Sequence, residues 1–188
     1  MLWAGLKGGL EVRNSADGQT VIEGRFPYAV PTVLQSGRDR RREVFSARAF
    51  GQSIETGAEV HLLVNHDFGK PLASRSAGSL ELRDDDDALH FEARLSPDLR
   101  EVGWVRDFLG TLSAGLVGGI SPGFRVPEGG AVVKRDGGGL LRVVRSAELV
   151  EVSAVTRPAY PEAQIEARCW KVERSRRRDV HPLDRWRL

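Results

Sequence analysis

Three short stretches carry the side chains that acyl transfer to and from a peptide carbonyl requires. Val64-Asn65-His66-Asp67 places an imidazole at the end of an apolar alternating run. A neutral histidine, with an ordinary pKa near ~6.5, suits a general base. Gly118-Gly119-Ile120-Ser121-Pro122-Gly123-Phe124 places a hydroxyl among glycines on a predicted strand. Small neighbours at Gly119 and Gly123 leave Ser121 open to an approaching substrate backbone. Glu148-Leu149-Val150-Glu151-Val152-Ser153-Ala154-Val155 places a carboxylate inside an apolar strand. A base, a nucleophile and an orienting acid make up the machinery of covalent hydrolysis. Their order along the chain, His, Ser, acid, differs from the His-Asp-Ser, Asp-His-Ser and Ser-Asp-His orders of the familiar serine hydrolases.

Each residue also has a plainer reading. His66 could be a strand-end histidine satisfied by a carbonyl. Ser121 could be a turn serine at a strand start, and Pro122, which has no N–H, removes the oxyanion donor that usually follows a nucleophile. Backbone near Thr156-Arg157 is a candidate replacement. Glu151 is read with Leu149 and Val155 on its own face and Val150, Val152 and Ala154 on the other, so both faces are expected to be buried. A carboxylate there costs several kcal/mol unless it is paired. The partner could be a histidine N–H, or an arginine such as Arg125 or Arg145; Glu148, nearer the strand's edge, is the substitute acid. His61 and His66 are an odd number apart and would face opposite ways on a continued strand, and His90 stands alone, so no metal is expected. Asp84-Asp85-Asp86-Asp87 lacks the spaced ligands of a calcium loop and reads as a solvated hairpin tip.

These residues need a scaffold, and the periodicity supplies a β-rich one. Strands are predicted at 10–13, 20–26, 60–64, 78–83, 88–95, 120–126, 131–134, 140–145 and 147–155. Gly137-Gly138-Gly139 marks a turn. The segment 27–42 reads as an exposed loop and 47–55 as a short helix. Ser96 and Pro97 make a good helix start, and Leu99, Val102, Val105, Phe108, Leu109 and Leu112 recur at helical spacing, predicting one helix over 97–116. From 167 onward the chain turns basic and poor in aliphatic residues, reading as a tail (167–188) after a single domain (1–166). So many short strands with one long helix and one or more short ones suggest an α+β fold closed as one curled sheet or a β-barrel.

Bulk properties agree. At 188 residues, 40% hydrophobic and 29% charged, the chain can bury a real core. A net charge of +2 does not by itself argue for nucleic acid, and aromatics at 7% offer no stacking platform for a basic nucleic-acid-binding barrel. One cysteine, Cys169, permits no internal disulfide and fits a reducing compartment. No apolar run is long enough to span a bilayer.

At these residues the chain resembles the prohead (procapsid maturation) serine proteases of tailed phages and gene transfer particles, distant relatives of herpesvirus assemblin. The likeness covers roughly Gly24 to Ala163. Phe45 to Phe50 resembles the family's early Gly-Ala-Phe segment, with Arg48 in place of the glycine. Leu63-Val64-Asn65-His66-Asp67 resembles the histidine motif, and the helix leading into Gly119 to Phe124 resembles the serine motif. Leu149 to Tyr160 resembles the closing Glu-Val-Ser, Pro-Ala signature. The resemblance implies an assemblin-like fold, a serine endopeptidase with His66 as base, Ser121 as nucleophile and Glu151 as third member, and no cofactor. It implies scaffold or major capsid protein segments as substrates, self-cleavage, a location in the assembling procapsid within the host cytoplasm, and a homodimer as a plausible assembly. A capsid-assembly or scaffold-binding module without activity is the alternative.

Overall fold

The computed structural model describes residues 10–14, 20–37 and 39–156. The predicted tail, Cys169 and Arg157 lie outside the described residues.

Three four-stranded sheets make up the described fold. The first holds β1 (Leu10–Asn14), β2 (Thr20–Pro27), β7 (Leu80–Asp84) and β8 (Ala88–Leu95) in the order β1-β2-β8-β7, all antiparallel. The second holds β3 (Thr32–Gln35), β4 (Arg41–Phe45), β10 (Ala131–Asp136) and β11 (Gly139–Val144) in the order β10-β11-β4-β3, with β11 and β4 parallel. The third holds β5 (His61–Val64), β6 (Asp67–Ser74), β9 (Gly119–Arg125) and β12 (Glu148–Val155) in the order β6-β5-β12-β9. The β-rich α+β class expected from the sequence is present. The single curled sheet or closed barrel is not: the strands divide among three sheets, none of them closed.

Aromatic rings tie the three sheets together. Phe26 of β2 meets Phe45 of β4 edge to face at 5.2 Å between centroids, and Phe45 meets Phe124 of β9 at 5.0 Å. Phe50, fully buried, stacks on Phe45 at 5.4 Å. Edge-to-face and offset contacts suit the ring quadrupole, so each sheet contributes a ring to one junction. Gly24 of β2 permits close approach to β9, because a β-carbon there would collide with Ile120 and Phe91.

Several local expectations need correction. The 27–42 segment is not simply a loop; β3 and the start of β4 lie within it. The helix over 97–116 is two helices, α2 (Pro97–Arg100) and α3 (Gly103–Ser113), following the short α1 (Gly51–Glu55). Ser96 does cap α2, accepting the Leu99 N–H at 3.3 Å. The break comes at Val102, which is extended (φ −67°, ψ 125°) and leaves the apolar stripe for the surface. A β-branched residue followed by glycine is a weak point for helix propagation. Asp84 is not part of a solvated tip; it is half-buried and accepts a hydrogen bond from the Tyr28 hydroxyl. Burial pushes its carboxyl above the ordinary aspartate range. No described helix is long and apolar enough to cross a membrane.

Candidate active site

The site is built on the third sheet. β5 and β6 are joined by two residues, Asn65 and His66, with Val64 opposite Asp67 across the turn. Both turn residues have positive φ, 52° and 60°. That is what a two-residue hairpin of the primed type demands, and Asn and His tolerate it better than most residues with a β-carbon. Neighbouring β12 holds the turn in place. Asn65 N–H donates to the Ala154 carbonyl at 3.0 Å, and His66 N–H donates to Ser153 Oγ at 3.0 Å.

β12 lies between β5, to which it is parallel, and β9, to which it is antiparallel. Residues directly opposite one another project to the same side of a sheet. Val152 and Ala154 pair with Leu62 and Val64 on one side and with Pro122 and Ile120 on the other, and the aliphatic members of this set belong to the core. Ser153 pairs with Ser121, and Glu151 with Gly123. Ser121, Gly123, Glu151 and Ser153 therefore share the opposite face. A register shift between Leu149 and Glu151 corrects the expected strand geometry. Leu149 does not share a face with Glu151; the bulge turns it into the core, where it packs with Val152 and Ala154. Both faces of β12 are nonetheless buried at Glu151, whose side chain is 4% exposed.

The buried acid is paired. His66 Nδ1 lies 2.7 Å from Glu151 Oε1. Ser153 Oγ donates to Glu151 Oε2 at 2.6 Å. A carboxylate only accepts, so Nδ1 carries the imidazole proton and Nε2 is left with the lone pair. The hydrogen bond and the nearby negative charge hold the imidazole pKa above its ordinary value, against the opposing effect of partial burial. Gly123 makes room for the carboxylate, since a β-carbon at this position would overlap it.

Of the three residues singled out from sequence, two touch and the third faces them. His66 and Glu151 are hydrogen-bonded directly. Ser121, itself buried, sits one strand beyond Glu151 on the same face; no hydrogen bond links it to His66 among the described residues. The rival partners for Glu151 are elsewhere: Arg125 lies opposite the exposed Glu148, and Arg145 is exposed. Sequence reasoning missed what Ser153 and Gly123 do. Each is two residues from a named site residue on a strand, a spacing that puts them on the same face. Among the described residues no group of three or more His, Cys, Asp or Glu is placed to hold a metal ion.

Comparison with known proteins points to the same chemistry. The family model for the caudovirus prohead serine protease matches residues 9–178, most of the chain. No curated protein and no solved structure matches it. The histidine hairpin, the serine strand and the acid strand all fall inside the matched region, and the chain belongs to the caudovirus prohead serine proteases, serine endopeptidases of phage capsid maturation.

Proposed function

We propose that Ser121, His66 and Glu151 form the catalytic triad, and that the enzyme cuts scaffold-like segments or the N-terminal segment of the major capsid protein inside the assembling shell, and also cuts itself. The observation carrying this reading is the buried carboxylate bonded to His66 Nδ1, with the Ser121 hydroxyl on the same face. Ser121 Oγ attacks the scissile carbonyl while His66 Nε2 takes its proton. The resulting imidazolium is stabilised by Glu151. The proton then passes to the leaving amine as the C–N bond breaks, leaving an ester on Ser121. A water molecule repeats the sequence, donating its proton to Nε2 and releasing the acid as the proton returns to Ser121. Catalysis needs the Ser121 hydroxyl and His66 Nε2 within hydrogen-bond reach of each other, a contact that tightens in a substrate complex. Oxyanion donors come from backbone other than residue 122, because proline has no N–H.

Co-expression with the capsid subunit tests the proposal. Wild type should shorten the subunit on a gel, and Ser121→Ala should slow that cleavage by at least ~10³-fold while retaining the fold. Undiminished cleavage by Ser121→Ala would remove the nucleophile assignment. Covalent labelling by a phosphonate probe distinguishes the enzyme from an inactive assembly module, which would not react.

A further inference from the structure

We propose that Ser153 is a positioning residue for this triad, locking the His66 turn and the Glu151 carboxylate into one unit; the proposal rests on the triad reading above. Three hydrogen bonds close a ring. His66 N–H reaches Ser153 Oγ at 3.0 Å, Ser153 Oγ reaches Glu151 Oε2 at 2.6 Å, and Glu151 Oε1 reaches His66 Nδ1 at 2.7 Å. Proton accounting fixes every direction in it. A backbone N–H can only donate and a carboxylate can only accept, so the single hydroxyl proton of Ser153 must point at Glu151. One oxygen atom thus sets the separation between the main chain of the base and the acid that orients its ring.

A buried hydroxyl needs a partner, and a lone backbone carbonyl would satisfy it. Ser153, fully buried, instead joins two elements far apart in sequence. The need for this latch is visible in the turn. His66 has a φ of 60°, a conformation residues with a β-carbon rarely adopt, and its imidazole is 39% exposed, so packing alone does not hold the ring. Tying down the backbone of such a residue from the neighbouring strand fixes the ring's point of attachment.

The titratable groups next along the hairpin are Asp67 and Lys70 on β6, which lie 3.9 Å apart, while His61 on β5 lies opposite Glu151. All are untouched in the variants below. Their contribution therefore cancels when variants are compared.

The test follows His66 itself, by NMR titration of its imidazole in the catalytically silent Ser121→Ala background, together with cleavage kinetics in the active background. Ser153→Ala should lower kcat by about 10–100-fold with KM within about threefold, because only geometry at the reacting centre is lost. It should also move the His66 titration midpoint down, toward that of Glu151→Gln. Ser153→Thr keeps the oxygen and should retain the wild-type midpoint. An unmoved midpoint in Ser153→Ala overturns the proposal. So does a rate loss fully matched by a smaller fraction of phosphonate-titratable enzyme, or a Ser153→Thr midpoint displaced as far as that of Ser153→Ala. The triad reading stands or falls separately, on the cleavage by Ser121→Ala.

Discussion

The bond from His66 Nδ1 to Glu151 Oε1 has a consequence for pH dependence whose sign follows directly. The contact raises the imidazole pKa. If His66 is the general base, as proposed, it works only when neutral, and the acid limb of kcat/KM should lie above the ~6.5 of a free histidine. Glu151→Gln removes the charge and the directed acceptor. Its acid limb should shift to lower pH, and kcat at the plateau should fall by roughly 10²–10⁴-fold as the imidazole loses its preferred tautomer. A pH–rate profile of the two proteins checks both effects, and a limb that stays in place would argue against Glu151 as the orienting acid. For stability the same shift runs the other way. The protonated form of His66 gains a partner on folding, so its contribution is present below the unfolded pKa and is lost as pH rises through the folded one.

Among the elements, the pairing of β9 with β12 brings Ser121 and Glu151 onto one face, and Gly123 is the residue on which that pairing is tightest. Gly123→Ala would drive a methyl group into the Glu151 carboxylate. The expected result is a Tm loss equivalent to about 1–3 kcal/mol, and a kcat fall of about 10²-fold from displacement of the acid. Melting and initial-rate measurements on one preparation separate the two. The sequence showed this element well. Alternation and glycines marked β9 and β12, and the charged residue amid aliphatics pointed to Glu151 as a paired acid. It did not show the bulge before Glu151, because a bulge leaves no mark in the alternation beyond a single extra residue. Nor did it show β6, whose exposed start, Asp67 to Pro71, has neither the alternation nor the apolar run of a buried strand. The divided helix escaped for a related reason: Val102 fits the helical stripe by spacing, and only its extended backbone excludes it.

At the scale of the whole molecule, the three sheets depend on long-range pairings that periodicity does not encode. The parallel pairing of β4 with β11 is one case. It brings Glu43 opposite Arg142, both buried, with an ion pair at 2.5 Å. Nothing in the local sequence joins residues so far apart, so the sequence left 27–42 as a loop and the three sheets as one. Removing one member of a buried pair strands the other. Glu43→Ala should therefore destabilise the fold by about 3–5 kcal/mol, read by urea denaturation. A loss under 1 kcal/mol would mean that Arg142 finds water or another acceptor.

The central position of β12 in the third sheet also bears on timing. Within the third sheet, the hairpin bearing His66 and the strand bearing Ser121 are joined through β12, the last of the described strands to be synthesised. Until it leaves the ribosome, neither the acid nor the serine that steadies the histidine turn is present, and β5 and β9 have no common neighbour. Chains fold from the N-terminus as they emerge. On the triad reading, a growing polypeptide lacks its catalytic acid until β12 has emerged, and proteolytic competence arrives in one step with that strand.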